Sequence, residues 1–156
     1  IRDSMTKVLF VCLGNICRSP MAEGLFKQAI AERQLPWQID SAATSSWEAG
    51  NPPHQGTRQL LADAGISWQN MVSRKITSED FETYDWIIGM DRNNYEDLST
   101  MAPAGMQHKL YTYLSVVPGE GEDIPDPYYT GDFNQTYRLI QAGLPLWIEK
   151  IKNAAQ

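Results

Sequence analysis

Val8-Leu9-Phe10-Val11-Cys12-Leu13-Gly14-Asn15-Ile16-Cys17-Arg18-Ser19-Pro20-Met21-Ala22-Glu23 is the stretch that decides how this chain folds. Its first four residues are a continuous apolar run, which reads as a buried strand, and Pro20-Met21-Ala22-Glu23-Gly24-Leu25-Phe26 reads as the opening of a helix. A strand feeding a glycine-containing loop feeding a helix aims several backbone N–H groups at one spot, where the positive end of the helix dipole also lies. Such a spot binds phosphate. The loop begins with a thiol and ends with a guanidinium, so a nucleophile and a planar clamp stand beside any dianion held there.

Cys12 is the candidate nucleophile. A thiol at a helix N-terminus beside an arginine falls from its usual range to a pKa of roughly 3.5–7.5, so a thiolate is expected in such a place. Gly14 and Asn15 are the residue types that most readily accept positive φ, as a loop needs in order to turn successive N–H groups inward. The phosphate-binding groups are then the backbone of Leu13, Gly14, Asn15, Ile16, Cys17 and Arg18, with the Ser19 hydroxyl donating to the thiolate. Two plainer readings compete. The C-x4-C spacing of Cys12 and Cys17 stands at the edge of the zinc-ligand range, but the only histidines, His54 and His108, are isolated and no third cysteine exists. A pair of small core cysteines at a strand end leaves Gly14-Asn15 and Arg18-Ser19 unexplained. The nucleotide-binding pattern G-x-x-x-x-G-K-[ST] does not occur. Neither a metal nor a cofactor is expected.

The run from Val8 to Glu23 resembles the signature of the low-molecular-weight protein tyrosine phosphatases. Ile39-Asp40-Ser41-Ala42-Ala43-Thr44, Ile76-Thr77-Ser78-Glu79-Asp80-Phe81, Ile87-Ile88-Gly89-Met90-Asp91 and Asp126-Pro127-Tyr128-Tyr129 extend the resemblance along nearly the whole chain. It implies hydrolysis of phosphotyrosine monoesters in a protein or peptide through a phosphocysteine intermediate, with inorganic phosphate as product and with Ser41 supporting the loop from the second strand. A related phosphoarginine phosphatase activity goes with a threonine where this chain has Ile16, and a branched apolar residue there favours a phosphotyrosine ring over a polar guanidinium. An arsenate reductase of similar fold would need redox cysteines outside the loop, where this chain has none. A phosphate-docking module without turnover would need neither a nucleophile nor an acid.

An acid is needed because a phenolate leaves poorly without a proton. Asp123, Asp126 and Asp132 all lie in the connection before the last helical pattern. Pro127 restricts Asp126 to an extended conformation and gives its carboxyl a defined direction, and by resemblance Asp126 occupies the position of the family's general acid. Leu13, Trp47, Tyr128 and Tyr129 are the candidate walls of a slot for a planar ring, positions that the family uses in that way. Asp91 ends a strand candidate, and the sequence assigns it no role beyond polar support. Cys17 is the candidate redox partner, because a sulfenic acid on Cys12 can be trapped by a nearby thiol as a disulfide.

The 156 residues, 42% of them hydrophobic, suffice for one domain with its own core, expected over 5–156. Residues 1–4, before Met5, read as a vector-derived remnant. A net charge of −6 argues against a general nucleic-acid or anionic-membrane binder. No apolar run approaches the ~20 residues of a membrane-spanning helix, and two cysteines without a disulfide framework fit a reducing cytoplasm. A monomer with weak self-association is expected. Strand patterns fall at 7–11, 38–42, 86–90 and 108–111, and helical patterns at 17–33, 53–64, 78–81, 93–99 and 133–153. Strands alternating with helices predict a single doubly wound α/β domain, with a central four-stranded parallel sheet flanked by helices. Its ligand would sit beyond the carboxyl ends of the strands, where the Cys12 loop emerges.

Overall fold

The computed structural model describes residues 6–154; the expected remnant at 1–4 lies outside them. The apolar run forms β1 (Lys7–Cys12), and its alternate side chains feed two separate cores. Val8, Phe10 and Cys12 pack into one with Phe26, Tyr113 and Trp147, while Leu9 and Val11 pack into the other with Phe81, Ile87 and Leu98. A strand buried on both faces has no polar side to show, which is why the run is continuous and not alternating.

The strands β1, β2 (Gln38–Ala43), β3 (Trp86–Gly89) and β4 (Leu110–Thr112) form one sheet in the order β2-β1-β3-β4, all parallel. The chain winds outward from β1 in both directions, so the order reverses between β1 and β3. At that point connecting loops diverge and leave a crevice at the carboxyl ends of the strands. Cys12 ends β1, and Asp91 follows β3 by two residues.

Helices α1 (Arg18–Glu32), α2 (Gln55–Asp63), α3 (Ser78–Thr83), α4 (Arg92–Met101), α5 (Pro127–Thr130) and α6 (Phe133–Ala154) flank the sheet, with 3-10 turns at Gln107–Lys109 and Tyr113–Val116. On α6 the buried residues Thr136, Ile140, Gly143, Leu144, Trp147 and Ile151 recur at helical spacing. This helix runs unbroken through Gly143 and Pro145, residues that can bend a helix. Gly143 is needed for a different reason: a Cβ there would lie 2.6 Å from the Tyr113 ring. Phe133 and Tyr137 are only partly buried at the edge of the core.

Other expectations shift at element ends. Helix α1 begins at Arg18, leaving Cys17 as its N-cap; α2 begins at Gln55 because the His54 imidazole caps it by accepting from the Gly56 N–H. His108 and Lys109 form a 3-10 turn, so β4 starts at Leu110. The short helix α5 falls where a loop was expected. The Asp126 carboxylate caps it, accepting from the Tyr128 N–H at 3.0 Å, and Pro127 occupies its first turn.

Candidate active site

The loop between β1 and α1 is held by its carbonyls. The Cys12, Leu13 and Ile16 carbonyls accept from the N–H groups of Thr44, Ser45 and His54, and the Gly14 and Cys17 carbonyls accept from the hydroxyls of Ser73 and Thr57. With the carbonyls tied to the surrounding segments, the N–H groups of Gly14, Ile16 and Cys17 donate to no protein acceptor among the described residues. Such unsatisfied donors at a helix start form a nest for an anion.

Within this loop only Asn15 takes positive φ, at +57°. Gly14 does not, contrary to expectation; a Cβ there would meet the Glu48 side chain at 3.3 Å, a tight contact, so what glycine supplies at this position is small size and not conformational freedom. The Asn15 N–H donates to Cys12 Sγ at 3.2 Å, and its amide donates to Ser19 Oγ at 2.7 Å and Ser41 Oγ at 2.9 Å. Because Ser19 Oγ accepts from Asn15, its own hydrogen is free for Cys12 Sγ, 3.1 Å away. Ser41 in turn donates to the buried Glu23. Asn15 Oδ1 accepts from the Arg74 N–H, and the Arg74 guanidinium is gripped by both oxygens of Asp80.

Arg18 is buried beside the loop. Its Nη1 donates to Asp91 at 2.6 Å and to the Ile124 carbonyl at 2.9 Å, while Nη2 stands 3.3 Å from the Asp126 carboxylate. Its Nε is buried without a partner, a donor left over for a ligand oxygen. Burial works against the Arg18 charge, but the Cys12 sulfur and the carboxylates of Asp91 and Asp126 outweigh it and hold the guanidinium above its ordinary value. Burial likewise pushes the Cys17 thiol well up, helped by Cys12 and Asp126 and opposed by Arg18.

A pocket of about 150 Å³ opens over the loop. That is comparable to a cavity of ~150 Å³ that accommodates benzene. Cys12, Leu13, Ile16 and Cys17 line it on the loop side, and Trp47, Asp126, Tyr128 and Tyr129 on the other. Trp47 and Tyr129 are 76% and 73% exposed, so they are rim residues and not core. All the residues expected at the site therefore meet in one place, with Ser19 and Ser41 in the layer beneath. The other candidate acids are occupied elsewhere: Asp123 accepts from the Arg92 N–H and Asp132 from the Gln135 N–H.

Sequence reasoning passed over Glu48 and left Asp91 with no role beyond polar support. Glu48 lines the pocket, and nothing in its neighbourhood of the sequence signals that. Asp91 grips Arg18 with one oxygen and caps α4 with the other. An aspartate directly before a helical pattern, at the carboxyl end of a strand, signals the cap, while its grip on Arg18 is closed only by the fold.

The family model described as low molecular weight phosphotyrosine protein phosphatase matches residues 7–156. The low molecular weight protein-tyrosine-phosphatase YfkJ of Bacillus subtilis is 41% identical over 97% of this chain and 99% of its own. Its crystal structure superposes with a TM-score of 0.93, covering 97% of this chain and 98% of that one. A protein tyrosine phosphatase from Entamoeba histolytica is 31% identical with a TM-score of 0.89, over 97% of this chain and 99% of that one. The drosophila arginine phosphatase DARP is 36% identical with a TM-score of 0.88, over 94% and 98%. With that match over residues 7–156 and the loop geometry described above, this chain belongs to the low molecular weight phosphotyrosine protein phosphatase family.

Proposed function

We propose that this protein hydrolyses phosphotyrosine monoesters in two steps through a phosphocysteine. One observation carries the reading: Cys12 Sγ sits among unpartnered loop N–H groups, with Arg18 beside it and the Asp126 carboxyl lining the same pocket. In the first step Cys12 Sγ attacks phosphorus in line, and the bond to the phenolic oxygen breaks as the Asp126 carboxyl gives that oxygen its proton. In the second, the Asp126 carboxylate takes a proton from the attacking water, the sulfur–phosphorus bond breaks, and inorganic phosphate leaves. The transition state is loose and asks mainly for charge and position, supplied by Arg18 and the loop N–H groups. The Ser19 hydroxyl stabilises sulfur as it recovers its negative charge.

The same reading takes 5–156 as one domain. It works in the cytoplasm as a monomer with weak self-association, acts on tyrosine-phosphorylated proteins or peptides without metal or cofactor, and binds neither nucleic acid nor membrane. Cys17 is its redox partner for Cys12. A second reading, phosphoarginine hydrolysis, has the similarity to DARP in its favour. Ile16 lines the pocket together with Leu13 and Trp47, and these apolar surfaces suit an aromatic ring better than a guanidinium.

Hydrolysis of phosphotyrosine, phosphoserine and phosphoarginine peptides, compared side by side with a chelator present, tests the assignment. Phosphotyrosine should be preferred, and Cys12→Ser should abolish turnover while retaining binding, because a serine hydroxyl there has no adjacent base. Substantial turnover by Cys12→Ser, or loss of wild-type activity to the chelator, would refute the thiolate mechanism.

A further inference from the structure

The His54 imidazole stands where the short helix α5 gives way to α6. Its ring stacks on Phe133, the first residue of α6, with centroids 4.9 Å apart and planes at 25°. It also meets the Tyr128 ring of α5 edge to face, at 6.1 Å and 84°. Tyr128 is 53% exposed and walls the phosphate pocket, whereas His54 is not among the side chains that line it.

Two features fix that ring. Its Nδ1 accepts from the Gly56 N–H at 3.0 Å, so the cap of α2 also sets the direction of the imidazole. Gly56 in turn lets Phe133 lie against the start of α2, for a Cβ there would stand 2.6 Å from the Phe133 ring. A glycine within a helix is less stable than alanine, and the close approach of that ring is the reason for one here. The same turn of chain holds the phosphate loop. The His54 N–H donates to the Ile16 carbonyl at 2.7 Å, and the Thr57 hydroxyl donates to the Cys17 carbonyl at 2.9 Å. The floor of the pocket is thus tied to the chain around His54, and one wall rests on its imidazole. The other aromatic neighbour of Tyr128 is Tyr129, which is itself exposed and gives little support.

We infer that His54 is a positioning residue for the substrate ring: its imidazole, held by the Gly56 N–H and the Phe133 face, braces Tyr128 at a fixed distance from the phosphate loop. It acts through Tyr128 and touches no reacting atom. The inference rests on the phosphotyrosine reading above and adds what sets the width of the ring slot. Its effect is on binding of the ring, since the loop N–H groups and Arg18 hold phosphate without it. An aromatic pair of this kind shifts an equilibrium by about two- to tenfold.

Two substitutions separate the ring from the cap. His54→Asn keeps a capping side chain and drops the ring, so KM for a phosphotyrosine peptide and for 4-nitrophenyl phosphate should rise about two- to tenfold, with kcat within about twofold of the wild type. The inhibition constant of phenylphosphonate should rise with KM, while that of inorganic phosphate, which has no ring, should hold. His54→Phe keeps a ring and drops the cap: its Tm should fall by roughly 2–4 °C and its KM should lie near the wild-type value. An unchanged KM in His54→Asn, an equal weakening of phenylphosphonate and phosphate, or a KM in His54→Phe raised as far as in His54→Asn would overturn the brace and leave the phosphatase reading standing. Failure of the folded wild type on both substrates would instead overturn the reading beneath it.

Discussion

Replacing Asp91 by asparagine separates two jobs that one carboxylate performs. Oδ1 accepts from the Asn94 N–H at 2.7 Å and caps α4, while Oδ2 accepts from Arg18 Nη1 at 2.6 Å. Asparagine caps a helix about as well as aspartate, so the cap survives. Its amide nitrogen then faces Arg18, donor against donor. Arg18 is 2% exposed and Asp91 17%, so little water can fill the gap. A hydrogen bond to a charged group contributes about 1.5–3 kcal/mol. The Ile124 carbonyl and Asp126 still hold the guanidinium, which keeps the loss below the ~3–5 kcal/mol of a buried charge left without its partner. At this chain length the expected fall in Tm is roughly 3–12 °C. Arg18 also loses its fixed direction, and a misplacement of about 1 Å can cost on the order of 10²-fold, so kcat/KM should drop roughly 10–100-fold. The grip on phosphate is needed whatever group leaves, so phosphotyrosine and 4-nitrophenyl phosphate should suffer alike. Thermal melts and steady-state kinetics on both substrates measure this. An unchanged Tm with unchanged kcat/KM would refute the clamp. A loss confined to phosphotyrosine would show that Asp91 serves proton transfer instead.

Asp126→Asn should lower turnover on phosphotyrosine by roughly 10²–10⁴-fold and on activated aryl phosphates by less; a uniform loss across leaving groups of different acidity would remove Asp126 as the proton donor. Peroxide should inactivate the wild type reversibly, with mass spectrometry showing a Cys12–Cys17 bond, while Cys17→Ser recovers poorly on thiol addition. Only sulfinic or sulfonic Cys12, with equal recovery in both proteins, would sink that role. Burial raises the Asp80 carboxyl, but the Arg74 guanidinium and the Thr77 N–H outweigh it and hold it below its ordinary value. A depressed carboxylate stabilises the fold above its unfolded pKa of ~3.9 and loses that contribution as pH falls through the folded value. Urea unfolding should therefore find Asp80→Asn weaker at neutral pH, and converging on the wild type below about pH 4; a constant difference across that range would count against the carboxylate's charge as the cause.

The loop chemistry was legible in the sequence because its parts are contiguous. Strand, thiol, Asn15, Arg18 and helix start stand within a dozen residues, and local geometry alone turns them toward one point. The all-parallel sheet was legible for a related reason, since a doubly buried strand has to be apolar throughout and helices between strands leave little choice of pairing. The reason for a glycine at position 14 was not, because the space there is limited by Glu48, which only the folded chain brings into contact. Element ends moved for the same kind of reason: the His54 and Asp126 side chains chose where α2 and α5 begin. By itself, then, the sequence determined the fold class and the loop that sets Cys12 and Arg18 side by side, both of which follow from neighbours along the chain. Tertiary structure alone decided what holds that arginine and what borders the pocket. Asp91 lies 73 residues from Arg18 and Asp126 lies 108, and their meeting depends on β1 and β3 being neighbours at the point where the strand order reverses. Hydrogen bonds across such separations leave no periodicity or spacing along the chain, because each is closed by the sheet and not by local geometry.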